Sequence, residues 1–207
     1  IEDGLCRELN LFRVEVPLIV SEESGVNDYL DRDGSRTPVA FPCGLGIEPR
    51  LRAQVVQAAT KWKRMALQQF DCAVGEGIVT DMRAVRKDYF LDHDHSAYVD
   101  QWDWERVITA ADRNLATLEA TVKAIWRVIK GAEEFALKEF PRLAGGKYPR
   151  LPDELVFLHA EEILEMYPDL SRKQRETAIL QKYPAVFIIG IGWVLDDGYP
   201  HEMRAAD

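Results

Sequence analysis

The sequence predicts a single α+β domain, and two stretches of the chain carry that prediction. Residues 78–86 and 97–107 are extended runs of β-branched and aromatic side chains separated by a polar loop, which is typical of a long β-hairpin. Between residues 112 and 140, apolar side chains recur at spacings of three and four, which indicates an amphipathic helix. With 207 residues and 47% hydrophobic content, the chain can bury one sizeable core.

The elements before the hairpin are short and are separated by polar segments. Residues 21–36 are rich in Asp, Ser and Gly, as loops usually are, and Pro17 closes a β-branched run, which suits the end of a strand. The predicted order is the end of a helix at 1–10, a strand at 11–20, a loop at 21–36, strands at 37–41 and 51–56, and a helix at 60–70.

After the long helix, Gly and Pro residues divide the chain into shorter elements again. The predicted order is a loop at 141–152, a strand at 155–159, helices at 161–166 and 171–182, and a strand at 185–191. Apart from His159, both strands consist of apolar residues and Gly, which indicates burial on both faces. Along the long helix, we expect the Leu and Trp stripe to belong to the core.

The formal net charge of −9 argues against a nucleic-acid-binding protein, because affinity for phosphate backbones comes from Lys and Arg. The basic residues bunch at 61–64 and 83–87, an arrangement better suited to a small anion such as ATP. Apolar stretches such as 185–191 are too short to cross a bilayer, so we expect no membrane span. The three cysteines are odd in number and lack metal spacing, which favours a reducing, cytoplasmic location.

The predicted hairpin has two unlike faces. Alternation along a strand places Gln101, Asp103 and Glu105 on one side and Trp102 and Trp104 on the other. One interpretation is a surface hairpin with its Trp side on the core and its acids in water. The other is a binding site in which the polar face meets a ligand.

Basic residues near the hairpin favour the second interpretation. Arg86 stands near the end of the facing strand, and with Arg83 and with Lys63 on the preceding helix it offers donors suited to carboxylate and phosphate. Such a set fits an acidic amino acid together with ATP. The alternative is an Arg–carboxylate ladder across two exposed strands, which would contribute little stability.

Several segments together resemble the ammonia-dependent asparagine synthetases, also called aspartate-ammonia ligases. The most specific is Tyr98-Val99-Asp100-Gln101-Trp102-Asp103-Trp104-Glu105-Arg106-Val107, and the similarity continues at 60–64, 75–78, 118–126, 166–170, 190–192 and 204–207. The resemblance covers essentially the whole chain. It implies the class II aminoacyl-tRNA synthetase fold, with a mixed, mainly antiparallel sheet flanked by helices.

The resemblance also implies a domain organisation. Residues 12–17 are similar to class II motif 1, which forms a homodimer interface, and residues 86–105 are similar to motif 2, whose Arg contacts the α-phosphate and the substrate carboxylate. We expect residues 1–207 to be one catalytic domain that lacks the extreme N-terminus and the C-terminal part with motif 3. The 207 residues alone are then expected to be inactive.

Five residues match positions with roles in the family. The resemblance implies that Asp28 lies near the incoming ammonia, that Lys63 contacts L-aspartate, and that Asp103 holds its amino group. Arg86 and Gln101 match the pair beside the reacting carboxyl group, with Arg86 also contacting ATP. No metal ligand is assigned within the chain, although Mg²⁺ is expected with ATP.

Two segments depart from the family pattern. The family commonly has His-Ser-Leu-Ala where this chain has Gln57-Ala58-Ala59-Thr60, which removes a hydroxyl expected near the substrate. After Arg86 the family has Pro-Asp-Glu, with the Glu expected near adenine, whereas Lys87, Asp88 and Tyr89 stand here. These departures favour one alternative to an amidating ligase, a non-catalytic paralogue that binds or scaffolds. A second alternative is a class II enzyme that charges tRNA with aspartate or asparagine, which would share the fold and the first half-reaction, but the acidity of the chain argues against it.

Overall fold

Within residues 1–31, 34–46, 50–93 and 95–202, the computed structural model contains five α-helices and eight strands. Their order is α1 (Glu2–Leu9), β1 (Leu11–Arg13), β2 (Ile19–Ser21), β3 (Ala40–Cys43), β4 (Leu51–Val55), α2 (Thr60–Gln69), β5 (Gly77–Val85), β6 (Tyr98–Arg106), α3 (Leu115–Glu139), β7 (Val156–His159), α4 (Ala160–Met166), α5 (Arg172–Lys182) and β8 (Val186–Ile189). The predicted α+β class is confirmed. The similar segment at 204–207 lies outside the described residues.

The contacts divide the chain into two compact units, Ile1–Ala124 and Ile125–Asp207. The first unit is organised around the β5–β6 hairpin, in which Gly77 pairs with Arg106 and Val85 pairs with Tyr98. Strand β1 lies parallel to β5 and completes a sheet of order β1-β5-β6. Gly77 is required at this point because a Cβ there would lie 2.2 Å from the carbonyl oxygen of Glu105.

The predicted strand at 11–20 is wrong in its middle, because it is two strands that belong to different sheets. Strand β1 ends at Arg13, and β2 begins at Ile19 and pairs antiparallel with β4 in a sheet of order β2-β4-β3. Pro17 lies between them and has no N–H to donate to a ladder. The chain therefore passes from one sheet to the other at this proline.

Strand directions agree with the mainly antiparallel prediction. The β5–β6, β2–β4 and β3–β4 pairs are antiparallel, whereas β1–β5 and β7–β8 are parallel. A small core of Val20, Val56, Ala59, Met82 and Ala84 lies in the first unit. It brings together residues from β2, β5 and the segment that enters α2.

The second unit contains the parallel β7–β8 pair and the helices α4 and α5. His159 caps α4, since its Nδ1 accepts a hydrogen bond from the N–H of Glu161 while Glu162 accepts from the N–H of His159. The buried Arg175 on α5 donates to the carbonyl groups of Tyr167 and Pro168. These two hydrogen bonds hold the Tyr167-Pro168-Asp169 segment against α5.

The long helix α3 departs from the prediction at its first turns. Val122 and Val128 are buried, but Leu115 is 54% exposed, so the apolar stripe is not core along its whole length. Within the described part of the chain, no helix is both long enough and apolar enough to cross a membrane.

Candidate active site

The two faces of the β5–β6 hairpin differ in burial toward its loop end, where Met82 and Ala84 are buried and Asp81 and Arg83 are exposed. On β5, Thr80 and Met82 are buried, and they pair with Asp103 and Gln101 of β6. On β6 itself, Asp103 and Glu105 are half-buried and Gln101 is exposed, so this face passes from the protein to solvent along the strand. The interpretation that placed the Trp side on the core is wrong for Trp102, which is 52% exposed.

Helix α2 brings a buried cation to this polar face. Lys63 is 1% exposed, and its Nζ lies 2.6 Å from Asp103 Oδ1 and 4.0 Å from Glu105 Oε1. The same Nζ donates a hydrogen bond to the carbonyl oxygen of Trp104 at 3.3 Å. A buried ammonium group needs such partners, because its transfer from water is otherwise costly. Lys63 and Asp103, both predicted as substrate-binding residues, are thus brought together.

Glu105 extends this ion pair toward the protein surface. Its Oε1 lies 3.7 Å from Arg64 Nε, so the carboxylate stands between two basic side chains of α2. Burial raises the pKa of the Glu105 carboxyl above its ordinary value, and the nearby Lys63 and Arg64 charges oppose that rise. Glu105 also lines a shallow cleft of about 420 Å³ together with Arg64 and Arg106.

Arg86 is held at the other end of the polar face. Its Nε donates to the carbonyl oxygen of Gln57 at 3.2 Å, and its Nη2 donates to Gln101 Oε1 at 3.2 Å. Arg86 and Gln101, the predicted pair beside the reacting group, are therefore in direct contact. Arg83 is not part of this set, because it lies on the opposite face beside Asp81 and Asp100.

Gln57 connects the predicted residues and was missed as a functional candidate. It is buried, its N–H donates to Asn27 Oδ1 at 2.9 Å, and its Nε2 donates to the carbonyl oxygen of Asp28 at 3.4 Å. Its own carbonyl oxygen accepts from Arg86. Only its departure from the family pattern distinguished it in the sequence, and that departure predicted none of these contacts.

The Asp28 side chain contacts the first turn of α2. Its Oδ2 accepts a hydrogen bond from the N–H of Lys61 at 3.2 Å, a group in the first turn that the N-cap residue Ala59 has no side-chain oxygen to satisfy. A carboxylate is favourable there because the helix dipole is positive at its N-terminus. Asp28 therefore supports the helix that carries Lys63, whatever else it does.

Taken together, the five predicted residues form one connected region of the first unit. Lys63 and Asp103 are paired, Arg86 and Gln101 are paired, and Asp28 joins the second pair through Gln57. A ligand along this face would meet buried positive charge, half-buried carboxylates and a planar guanidinium. Such a set suits a small zwitterion with an extra carboxylate and a phosphate group.

Metal ligands are a different matter. Among the residues that the structure describes, no group of three or more His, Cys, Asp or Glu side chains is arranged to hold a metal ion.

A sequence profile of the aspartate-ammonia ligase family matches residues 1–207. Among curated relatives, aspartate–ammonia ligases of Clostridium perfringens strain 13, Bacillus cytotoxicus and Lactiplantibacillus plantarum are 44%, 42% and 42% identical, each over 100% of this chain. The chain covers 59%, 60% and 62% of those proteins, so it spans about three fifths of their length.

Among solved structures, the chain is similar to a crystal structure of ThrRS-1 from Aeropyrum pernix, a chain assigned as a threonyl-tRNA synthetase, with a TM-score of 0.48 and 11% sequence identity. The match covers 91% of this chain and 41% of that one.

Proposed function

Because the chain belongs to the aspartate-ammonia ligase family, we propose that the complete protein converts L-aspartate, ammonia and ATP into L-asparagine, AMP and pyrophosphate. One observation carries the proposal beyond family membership. The Lys63–Asp103 pair and the Arg86–Gln101 pair lie on the same face of one hairpin. That face offers opposite charges for an amino acid and a guanidinium for a phosphate.

The chemistry of the substrate explains why ATP is needed. The ionised β-carboxylate of aspartate is a poor electrophile and has no good leaving group. Its attack on the α-phosphate of ATP would form β-aspartyl-adenylate and release pyrophosphate. Ammonia would then attack the acyl carbon, form the amide bond and displace AMP.

We assign aspartate binding to the Lys63–Asp103 pair. The Asp103 carboxylate, whose side chain is 26% exposed, can accept hydrogen bonds from the substrate's amino group. Lys63 supplies the positive charge that a substrate carboxylate requires, and its burial strengthens that attraction. Glu105, whose Oε1 lies 4.0 Å from Lys63 Nζ, adds a second carboxylate beside this ammonium group.

Arg86 and Gln101 act at the reacting group in this proposal. The Arg86 guanidinium would offset the negative charge that develops on the α-phosphate as the carboxylate attacks. Gln101 cannot ionise, so its amide would orient the acyl group and hold Arg86 in place. The contact of Arg86 Nε with the Gln57 carbonyl fixes the guanidinium plane.

Asp28 is the residue that we assign to ammonia. Most ammonia is protonated at neutral pH, so a group must bind the cation and accept its proton before the nucleophile attacks. The Asp28 carboxylate can do both. Its contact with the Lys61 N–H holds it close to α2 and hence to the hairpin.

Three further features of the complete protein belong to the same proposal. We expect Mg²⁺ to accompany ATP and a cytoplasmic location, with which the free Cys6, Cys43 and Cys72 agree. We also expect a homodimer formed through the motif 1 region. Exposed Phe12, Leu18 and Ile19 in and beside that region support an interface there.

A second candidate is a non-catalytic paralogue that serves as a binding or scaffolding subunit. Two substitutions favour it, namely Ala58 in place of a family Ser and Tyr89 in place of a family Glu. Both stand beside residues of the candidate site, since Arg86 contacts Gln57 and approaches Tyr89. Binding of aspartate and ATP without product formation would support this candidate.

The deciding experiment uses the protein encoded by the complete open reading frame. Pyrophosphate release is measured with ATP alone, with added L-aspartate and with added ammonium, and asparagine is measured by chromatography. We expect pyrophosphate only when aspartate is present and asparagine only when ammonium is also present. Equal use of glutamine and ammonium, or no turnover at all, contradicts the proposed activity.

A further inference from the structure

The loop that joins β5 to β6 contains an aromatic residue between two arginines. The Cζ atom of Arg36 lies 3.9 Å from the centroid of the Tyr89 ring, and that of Arg86 lies 5.5 Å from it. Both distances are within the range of cation–π attraction, which is about 6 Å. One ring thus contacts the guanidinium of the candidate site and a guanidinium from a distant part of the chain.

A second contact joins the same two segments. The Asp88 carboxylate accepts hydrogen bonds from the N–H and the hydroxyl of Thr37 at 3.0 and 3.3 Å. Lys87 and Thr37 together hold the pKa of the Asp88 carboxyl below its ordinary value. We call the five residues Arg36, Thr37, Arg86, Asp88 and Tyr89 the clasp. It fastens the chain around residue 36 to the β5–β6 loop.

The clasp lies at one end of the polar face. Asp103 pairs with Thr80, whereas the N–H of Arg86 donates to the carbonyl group of Ala97, six residues further along the hairpin. At about 3.3 Å per residue, these two positions are roughly 20 Å apart. The Tyr89 ring therefore lies toward the Arg86 end of the polar face, to which the phosphate is assigned, while the Arg86 guanidinium reaches back to Gln101, two residues from Asp103.

A ring beside Arg86 differs chemically from the carboxylate that the family resemblance leads us to expect at position 89. A carboxylate would neutralise the guanidinium and could occupy its N–H groups. An aromatic face restricts the guanidinium plane without accepting its in-plane N–H donors. Among the described contacts, Arg86 uses only Nε and Nη2, so it keeps donors for a phosphate.

We propose that Tyr89 is a positioning residue for ATP: its ring couples Arg36 to Arg86 and orients the Arg86 guanidinium toward the phosphate. This inference rests on the proposed function, because it concerns the same Arg86. Under this inference, the tyrosine at position 89 supports nucleotide binding, and its presence is not a sign of lost activity.

The test compares Tyr89→Leu with Tyr89→Phe in the complete protein, with Phe90→Leu as the matched control. Phe90 is the neighbouring aromatic residue, is 79% exposed and has no part in the clasp. Loss of a cation–π contact predicts that Tyr89→Leu raises the KM for ATP about 5- to 10-fold. The KM for aspartate stays within about twofold of wild type, and Tyr89→Phe and Phe90→Leu keep wild-type values.

A double-mutant cycle with Arg36→Leu tests the coupling itself. If Tyr89 acts through Arg36 and Arg86, the double variant Arg36→Leu/Tyr89→Leu has the same KM for ATP as Tyr89→Leu alone. The proposal is overturned if the rise in the KM for ATP of the double variant equals the product of the rises in the two single variants. It is also overturned by a Tyr89→Phe variant as impaired as Tyr89→Leu, or by a Tyr89→Leu variant that matches the Phe90→Leu control. An equal rise in both KM values also overturns it, since that indicates a general structural defect.

A readout without catalysis separates this inference from the proposed function. Limited trypsin digestion with mass spectrometry follows cleavage after Arg36, which the clasp should slow. If the wild-type protein shows no turnover, the proposed function has failed. The clasp then stands only if Tyr89→Leu is cut after Arg36 several-fold faster than the wild type and than Phe90→Leu, and unchanged cleavage overturns it as well.

Discussion

Lys63 Nζ lies 2.6 Å from Asp103 Oδ1, and the two side chains differ in exposure, at 2% for Lys63 and 26% for Asp103. The ammonium group is thus buried while its partner still faces solvent. Such an arrangement leaves the carboxylate open to a ligand and makes the lysine depend on it. Removing the carboxylate charge should therefore affect both folding and substrate binding.

We predict that Asp103→Asn lowers the free energy of unfolding by about 2–3 kcal/mol, below the range for a fully buried pair because Asp103 is partly exposed. The KM for aspartate should also rise at least 10-fold, since the amino group loses its anionic partner. Urea unfolding and steady-state kinetics measure the two effects. The control is Asp100→Asn on the opposite face of the same strand, which should change neither quantity appreciably.

The sequence predicted the hairpin well because alternation in a long strand is a strong local signal. The predicted strands at 78–86 and 97–107 lie within one residue of β5 and β6 at each end. The grouping of Gln101, Asp103 and Glu105 on one face followed from the same alternation. Parity along β5 also separates Arg83 from Arg86, so the sequence already contained the reason why Arg83 is absent from the site.

Contacts between distant segments could not be predicted in this way. The links from Gln57 to Asp28 and Arg86 are made by backbone carbonyl groups, which carry no residue-specific signal. Helix α2 places Lys63 over the hairpin through tertiary packing, and its own sequence does not specify which strand it covers. The break at Pro17 was visible, but the change of sheet that it permits was not.

Asp28 can be tested for its two roles separately. Asparagine at this position still accepts the Lys61 N–H, whereas alanine does not. We predict that Asp28→Asn loses only about 0.5 kcal/mol, for the charge beside the helix dipole, and that Asp28→Ala loses about 1 kcal/mol or more, because it also removes the helix cap. If the carboxylate accepts a proton from ammonium, both variants lose about 100-fold in ammonium-dependent turnover. An Asp28→Asn variant with normal turnover would leave capping as the role of Asp28.

Glu105 gives a prediction about pH. Burial raises the pKa of its carboxyl in the folded protein above the ordinary value of 4.5, so the protonated carboxyl favours the folded state. This contribution to the unfolding free energy is fully present below pH 4.5. The contribution is lost as the pH rises through the higher pKa that Glu105 has in the folded protein. The unfolding free energy of Glu105→Gln, relative to wild type, should therefore increase above pH 4.5 and then level off. Urea unfolding between pH 4 and 8 measures this, and a difference that falls with pH would show that Lys63 and Arg64 outweigh burial.

Arg86 is the residue whose replacement should affect catalysis most. It contacts Gln101 and the Gln57 carbonyl and lies near the Tyr89 ring, so its guanidinium is held in one orientation. Arg86→Ala should leave the protein folded by far-UV dichroism and lower kcat about 100-fold or more, the scale for removing one positioned donor to a developing anion. Arg86→Lys should recover little, because an ammonium group keeps the charge but loses the planar two-point contact.

The matched control for Arg86 is Arg83→Ala, three residues away on the exposed face of the same strand beside Asp81 and Asp100. It removes the same charge from the same part of the protein, and we expect it to keep wild-type turnover within about twofold, as exposed ion pairs contribute little. Aspartate-dependent pyrophosphate release from the complete protein is measured for all three variants. Should Arg83→Ala and Arg86→Ala lose activity equally, the net positive charge of the hairpin would matter and the position of Arg86 would not. Should Arg86→Ala unfold, its contacts with Gln57 and Gln101 would be structural, and the active site would have to lie elsewhere.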